Sequence, residues 1–436
     1  MRDSRSATDD STLILIESSG LRDRLQDITG YPVFATGGHI WQDIPLGEGP
    51  VFNEQGMARH VPRSPAILKA LAERLRRSWR TLLVATDPDD EGDVIAADLV
   101  ALARKVCPRA VLLRVHWQTL EAEAVRRALG RAVEICPATD PPLGAAGLAR
   151  ATIDRLLIEQ AGRRPGCGRV AGPLLEALAT TSFSVPPKLS FDNPWTLRDI
   201  LVMGRGKSVE QRYGLAESLY LGGRLSYPRT AAKGYWVETQ TILQERAGNE
   251  LVANLPPPLS QAAPHEALWA TGPVFAESAL EMLSLPEAVL ASVMVAAWIS
   301  QGLLRPGDLP TPPAIAMDMD ARLVDWQARE SLGRPSTWAQ RATAFCRRQW
   351  IGADGVLTPD GRRAHRQVPE HLRDAAFSRA IEAHIAEKAA VGWDAPAIVA
   401  DAVTRFTLDL AALSLSPRLA ERRRGKVGIK GRPAVG

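Results

Sequence analysis

Two short apolar runs that each end on carboxylates constrain this chain more than any other feature. Leu13 to Ile16 closes on Glu17 (LILIE), and Thr81 to Thr86 (TLLVAT) runs directly into Asp87-Pro88-Asp89-Asp90-Glu91-Gly92. Runs this short, without polar alternation, read as strands buried on both faces, the pattern of a parallel sheet. Pro32 to Thr36 and Val111 to Val115 are further extended segments. Helical spacing lies between them, over Leu21 to Ile28, Ala66 to Trp79, Val94 to Leu102 and Leu120 to Leu129. Strands alternating with helices imply an α/β domain over residues 10–135, with helices on both sheet faces.

From Leu143 onward the texture changes to Ala- and Leu-rich helical segments broken by Pro and Gly, at Arg164 to Gly168, Pro186-Pro187, Pro256 to Pro258 and Pro306 to Pro313. Residues Ala321 to Leu415 read as surface-charged helices. Ala288 to Leu304 is uncharged, but it contains Ser292, Ser300, Gln301 and Gly302 and is short for a membrane span. A buried helix is expected there, opened by a Ser284/Glu287 capping box with Pro286 in its first turn.

With 45% apolar and 23% charged residues, the chain is too apolar for a disordered protein. The net charge is +4, and between Arg418 and Arg432 seven basic residues face one acid, Glu421. That tail is therefore +6 and the rest of the chain −2. Residues 416–436 are expected to be a basic, disordered arm. The four cysteines (Cys107, Cys136, Cys167, Cys346) form no CxxC pair, which excludes a zinc ribbon and fits a reducing compartment. Met1 to Thr12 is polar and lacks an apolar leader segment. A soluble, cytoplasmic, monomeric protein with no membrane partner is expected.

Carboxylates crowded at strand ends repel one another unless a cation sits among them, and hard oxygen ligands suit Mg²⁺. Asp87, Asp89 and Glu91 are the candidate ligands, joined by Glu17 if the two strands are neighbours. An acidic loop that caps the next helix and complements its dipole is the competing account of the same residues. Tyr227, one of five tyrosines, lies in LYLGGRLSYPRT (Leu219 to Thr230), placed after a helix and a Gly222-Gly223 turn on a short strand, two residues before Arg229. A phenol attacks phosphorus only when it loses its proton and the phosphate's charge is met, and a guanidinium serves the second need. His265 follows in PHEALWAT (Pro264 to Thr271).

LILIES (Leu13 to Ser18), FATGGHIWQDIP (Phe34 to Pro45) and VATDPDDEGDVIAADL (Val84 to Leu99) together resemble the Toprim domain of type IA topoisomerases, primases and some nucleases. LYLGGRLSYPRT followed by PHEALWAT resembles the active-site tyrosine and downstream histidine motifs of type IA topoisomerases. In the same order, RVHWQTLEAEAVRRAL (Arg114 to Leu129), GLARATIDRLLIEQ (Gly147 to Gln160), CGRVAGPLLEAL (Cys167 to Leu178) and LSLPEAVLASVMVAAWISQGLL (Leu283 to Leu304) are similar to further segments of that family. The resemblance implies an α/β Toprim domain with a parallel-rich sheet, followed by a mainly α-helical topoisomerase IA core. It implies transesterification on DNA, mainly in single-stranded regions, with Tyr227 as nucleophile and no ATP. Glu17 is then general acid and base. Asp87 and Asp89, with Glu91 assisting, hold Mg²⁺. Arg229 and His265 meet the scissile phosphate, and Arg155, Arg169 and His39 contact the strand.

The chain departs from the family pattern at four places. The usual Ser-Pro-x-Lys reads Ser18-Ser19-Gly20-Leu21. The usual Arg of DxDREGE is Asp90. Gly-Arg-Val-Gln reads Gly168-Arg169-Val170-Ala171, and Asp-Ser after the tyrosine motif reads Ala231-Ala232. Val170 and Tyr227 are only 57 residues apart, which implies a shortened gate arch. The expected organisation is a Toprim domain (10–135), a helical DNA-groove segment (136–205), an active-site tyrosine domain (206–280), a helical remainder (281–415) and the tail. A non-catalytic single-strand-binding descendant and a Toprim nuclease are the alternatives that these departures leave open.

Overall fold

The computed structural model describes residues 11–44, 51–136, 142–181, 183, 187–188, 194–203, 208–247, 255–260, 265–271 and 318–408. The first third runs β1 (Thr12–Ile16), a 3₁₀ turn (Ser19–Leu21), α1 (Arg22–Thr29), β2 (Val33–Ala35), β3 (Trp41–Asp43), β4 (His60–Pro62), α2 (Pro65–Leu75), β5 (Thr81–Val84), α3 (Asp90–Val106), β6 (Val111–Arg114), α4 (Ala122–Gly130) and β7 (Val133–Glu134). Five strands form one sheet in the order β2-β1-β5-β6-β7. All its pairs are parallel except β6 with β7. Ile14 pairs with Val33 on one side and Leu83 on the other.

The apolar runs are continuous because each strand is covered twice. Leu13, Leu15, Leu82, Val84 and Leu112 pack against Leu71 and Leu75 of α2 and Ile95 and Leu99 of α3. Ile14, Ile16 and Leu83 face the opposite way, onto Leu25 of α1 and Val125 of α4. Each such side chain, fully buried, contributes about 1.5–3 kcal/mol.

Three local differences from the sequence reading have clear causes. Helix α2 stops at Leu75 rather than at Trp79, because the Trp79 indole N–H donates to the Arg74 carbonyl (2.7 Å) and folds the chain back. Helix α3 starts earlier, at Asp90, because the Asp89 side chain accepts from the Gly92 N–H and caps it. An antiparallel ribbon, β3 against β4, stands beside the sheet where no strand was expected.

The body is helical: α5 (Ala145–Gln160), α6 (Ala171–Thr180), α7 (Leu197–Val202), α8 (Val209–Leu221), α9 (Val237–Ala247), α10 (Met319–Arg329), α11 (Pro335–Arg347), α12 (Pro359–Gln367), α13 (Glu370–Arg373), α14 (Ala375–Ala390) and α15 (Ala395–Arg405). One core joins Leu156, Leu174, Trp195, Leu323, Phe345 and Ile385. Helix α5 packs on α3 on one side and on α14 and α15 on the other, so it is the seam between the α/β layer and the body. Among the described residues no helix is long and apolar enough to cross a membrane. The expected helix over Ala288 to Leu304 and the basic arm lie outside the described residues.

Candidate active site

The chain leaves β1 toward β2 on one side, and β5 toward β6 on the other. The C-terminal ends of β1 and β5 therefore flank a topological switch point, where ligand sites form in open α/β sheets. Glu17 follows β1. Its backbone carbonyl accepts from the Gly37 N–H (2.7 Å) and the Gly38 N–H (3.1 Å). Both glycines have positive φ, +71° and +104°, which side-chain-bearing residues adopt only with strain. Asp87 to Asp89 follow β5 in a short loop that runs into the first turn of α3, and this connection is held from below. Arg114, at the end of β6, donates to the carbonyls of Val84 (3.1 Å), Thr86 (2.9 Å) and Asp87 (3.0 Å) and pairs with Asp93 (2.9 Å). Gly92 is required in this connection, since a Cβ there would lie 2.0 Å from the Asp87 carbonyl oxygen.

The tyrosine reaches this loop from the body. Helix α8 ends at Leu221, Gly222-Gly223 turn the chain, and Leu225 bridges Ala270 in antiparallel sense. No regular strand forms at Tyr227. Instead the Ser226 N–H donates to the Trp269 carbonyl (2.9 Å) and the Tyr227 N–H to the Gln118 carbonyl (2.7 Å). The first bond lays the His265 segment alongside the tyrosine, and the second ties the tyrosine to the α/β domain. The Tyr227 Oη lies 2.9 Å from Asp89 Oδ2 and 3.2 Å from Asp87 Oδ2. Tyr220 packs edge-on against its ring (centroids 5.6 Å) and His265 stacks on it (5.4 Å, 22°). Arg229 Nη1 lies 3.2 Å from Asp87 Oδ2 and 3.6 Å from Glu17 Oε1.

Electrostatics follow from this crowding. Burial, then the charge of Asp87, push the Glu17 carboxyl up to about 9, although Arg229 opposes the shift. Burial raises Asp87 as well. Tyr227 is raised well above an ordinary phenol by burial and by Asp87 and Asp89. Burial lowers the His265 imidazole, and its buried Nδ1 has no hydrogen-bond partner. At neutral pH the cluster therefore carries protons on Glu17 and Tyr227.

A groove of about 710 Å³ opens from this cluster between the α/β layer and the body, lined by Trp41, Asp89, Glu91, Arg229, His265 and Arg334 among others. His39 lies in it, 3.2 Å from Glu91, and this contact lowers the Glu91 carboxyl. Arg155 does not line it, but pairs with Asp43 (3.4 Å), which does, and with Glu159 (2.9 Å). Arg169 is not brought to the groove surface: it is 5% exposed and held by Asp154 (2.7 Å) and Glu382 (2.8 Å). Leu21, where the family pattern has a lysine, is buried beside Glu17 and Tyr227 in a small neighbouring cavity. Asp90 turns away from the tyrosine to bind Arg150 (2.7 Å) and Arg334 (2.6 Å).

The sequence reading missed Arg114, Tyr213, Glu217, Arg150 and Arg334 as parts of this neighbourhood. Each acts through a partner 12 or more residues away, so no local pattern announces it. A signal did exist for Arg334, which precedes Pro335 at a helix start in Gly333-Arg334-Pro335-Ser336-Thr337.

Among the described residues, no three His, Cys, Asp or Glu side chains stand as a ready-made metal site. The donor chemistry nevertheless suits a hard cation: every candidate is a carboxylate, and the buried Glu17 Oε2 has no hydrogen-bond partner.

Comparison with known proteins bears on the fold that carries this cluster. The Toprim domain family matches residues 12–115. DNA topoisomerase 1 of Zymomonas mobilis is 30% identical over 152 residues, covering 33% of this chain and 12% of that protein, so the chain matches about an eighth of that relative's length. The structure of full-length topoisomerase I from Thermotoga maritima superposes with a TM-score of 0.67 at 15% identity, covering 91% of this chain and 89% of that one.

Proposed function

We propose that this chain, a Toprim domain carried on the type IA topoisomerase fold, is a DNA topoisomerase that cuts and rejoins one strand through Tyr227. The observation that carries the reading is the meeting of the Tyr227 hydroxyl with Asp89 and Asp87 across 138 and 140 residues of sequence, with Arg229 alongside. A tyrosine serving only as packing has no need of two carboxylates within hydrogen-bond distance of its hydroxyl.

In the proposed reaction Tyr227 Oη attacks phosphorus, and its proton passes to the Asp87/Asp89 carboxylates it already touches. The P–O3′ bond breaks, leaving the 5′-phosphate on Tyr227. Glu17, protonated at neutral pH, gives its proton to the departing 3′-oxygen. Rejoining reverses each transfer, so no ATP is consumed. Arg229 offers Nη1 to the phosphate oxygens, and His265 keeps the tyrosine ring in place by stacking. Asp87 and Asp89, with Glu91 assisting, would hold Mg²⁺, which would neutralise phosphate charge and orient the strand. The groove beside the cluster is taken as the path of single-stranded DNA.

The test uses an oligodeoxynucleotide labelled at its 3′ end, incubated with Mg²⁺ and resolved under denaturing conditions. The wild type should carry label as a protein adduct and relax supercoiled plasmid, and Tyr227→Phe should do neither. Cleavage that persists in Tyr227→Phe without an adduct makes the protein a nuclease instead. Binding without cleavage by the wild type makes it a non-catalytic descendant.

A further inference from the structure

Helix α8 presents Tyr213, Glu217 and Tyr220 at spacings of four and three residues, so all three lie on one helix face. That face meets the Tyr227-Pro228-Arg229 loop. Tyr213 Oη accepts from Arg229 Nε (2.8 Å) and Glu217 Oε1 accepts from Arg229 Nη2 (2.9 Å). Tyr220 packs edge-on against the Tyr227 ring. The Nε/Nη2 edge of Arg229, the edge that grips an oxyanion with two parallel bonds, is therefore occupied by α8, and only Nη1 points at Asp87 and Glu17.

The helix is itself fixed on its other side. Arg212, fully buried, binds the Met203 carbonyl (3.2 Å) and Asp318 (3.1 Å). A Ser208/Gln211 capping box closes the first turn, and the Val209 N–H donates to Asp320 (3.0 Å). Helix α8 thus transmits a fixed position from the body to both functional halves of the loop.

We propose that Tyr213 and Glu217 are positioning residues for Arg229, which they restrict to an end-on, single-nitrogen contact with the phosphate. The inference rests on the reading of Tyr227 and Arg229 as the cleavage pair. An arginine free to swing would clamp the phosphate through two nitrogens and hold ground state and transition state alike. Restricted to Nη1, it meets the phosphate while staying in line with Asp87. Glu217 lines the small cavity that also holds Glu17, Asp87 and Tyr227, so the restraint acts inside the reacting cluster.

Adduct formation is to be timed in single turnover for wild type, Glu217→Ala, Glu217→Gln and Tyr213→Phe, each with Arg229 and with Arg229→Ala. Glu217→Ala should slow adduct formation by about ten- to a hundredfold, the range for a misplaced catalytic group, with oligonucleotide bound at least as tightly as by wild type. Glu217→Gln keeps an oxygen for Nη2 and should stay within about threefold of wild type. With Arg229→Ala, Glu217→Ala should have almost no further effect, because the two act as one unit. Equal rates for Glu217→Ala and wild type, or full additivity with Arg229→Ala, overturn the proposal while leaving the cleavage reading intact. Absence of any wild-type adduct fails the cleavage reading instead. The positioning claim is then decided in ¹⁵N-labelled Tyr227→Phe protein. There the Arg229 Nε–H should exchange slowly with water and become fast on adding Tyr213→Phe, whereas fast exchange in both overturns it.

Discussion

At the residue scale, the most informative side chain outside the reacting cluster is Glu266. It is 2% exposed, next to His265, and accepts from the Trp269 indole N–H (2.9 Å) and the Trp236 backbone N–H (3.3 Å). These bonds pin the histidine segment to the start of α9. Burial outweighs them and pushes the carboxyl up to about 7 from an ordinary 4.5. The folded protein therefore holds a proton on Glu266 in the window where the unfolded chain has released it. Stability is fully present below about pH 4.5 and falls as pH rises toward 7, by about 1.4 kcal/mol per unit at most and about 3 kcal/mol in total. Urea denaturation at about pH 5 and about pH 7.5 checks this. The wild type should lose stability between the two relative to Glu266→Gln, which has no proton to lose. Parallel changes in both proteins refute the assignment.

At the scale of elements, the same residue can serve the fold and the chemistry, and α3 shows how to separate the two. Asp89 caps α3 through the Gly92 N–H (2.8 Å) and also receives the Tyr227 hydroxyl (2.9 Å). Asparagine caps as well as aspartate, whereas alanine does not. Asp89→Asn should thus unfold at nearly the wild-type urea concentration, while Asp89→Ala loses about 1 kcal/mol. Both should lose most adduct formation, because an amide cannot take the phenol's proton. If Asp89→Asn retains wild-type cleavage, Asp89 is only a cap. The elements that sequence made legible were those with a strong period: β1, β5 and the helices between them, whose apolar runs match strands covered on both faces. The ribbon β3–β4 was not legible, because Trp41 to Asp43 alternates too briefly to show a period and its partner His60 to Pro62 is not its neighbour in sequence. Tyr227, Arg229 and His265 stood out as motifs. That they would meet Glu17, Asp87 and Asp89 depended on the Gln118 and Trp269 carbonyls accepting from their loop, which no local pattern encodes.

At the scale of the whole molecule, two carboxylates and three arginines link the α/β layer to the body. Glu382, on α14, takes Arg169 (2.8 Å), Arg150 (3.0 Å) and Arg334 (3.4 Å), and the last two also share Asp90 at the start of α3. This network explains why Arg169 stays inside and why an acid at position 90 is accommodated: its charge is met by arginines from α5 and from the start of α11. Burial disfavours the Glu382 charge, but the three guanidiniums overcome it and bring the carboxyl down to about 2. Its contribution is therefore fully present above about pH 4.5 and is lost as pH falls through 2, amounting to about 3 kcal/mol. Removing the charge while keeping the shape leaves Arg169, whose side chain is 3% exposed, with only Asp154 for a counter-charge. Breaking a buried pair in this way costs about 3–5 kcal/mol. Glu382→Gln should accordingly lower the urea midpoint strongly at pH 7, and the gap to wild type should shrink as pH approaches 2. High salt should not reproduce the loss, because buried pairs are screened far less than exposed ones. A Glu382→Gln protein as stable as wild type at pH 7 would show that α14 is held on α5 by apolar packing alone.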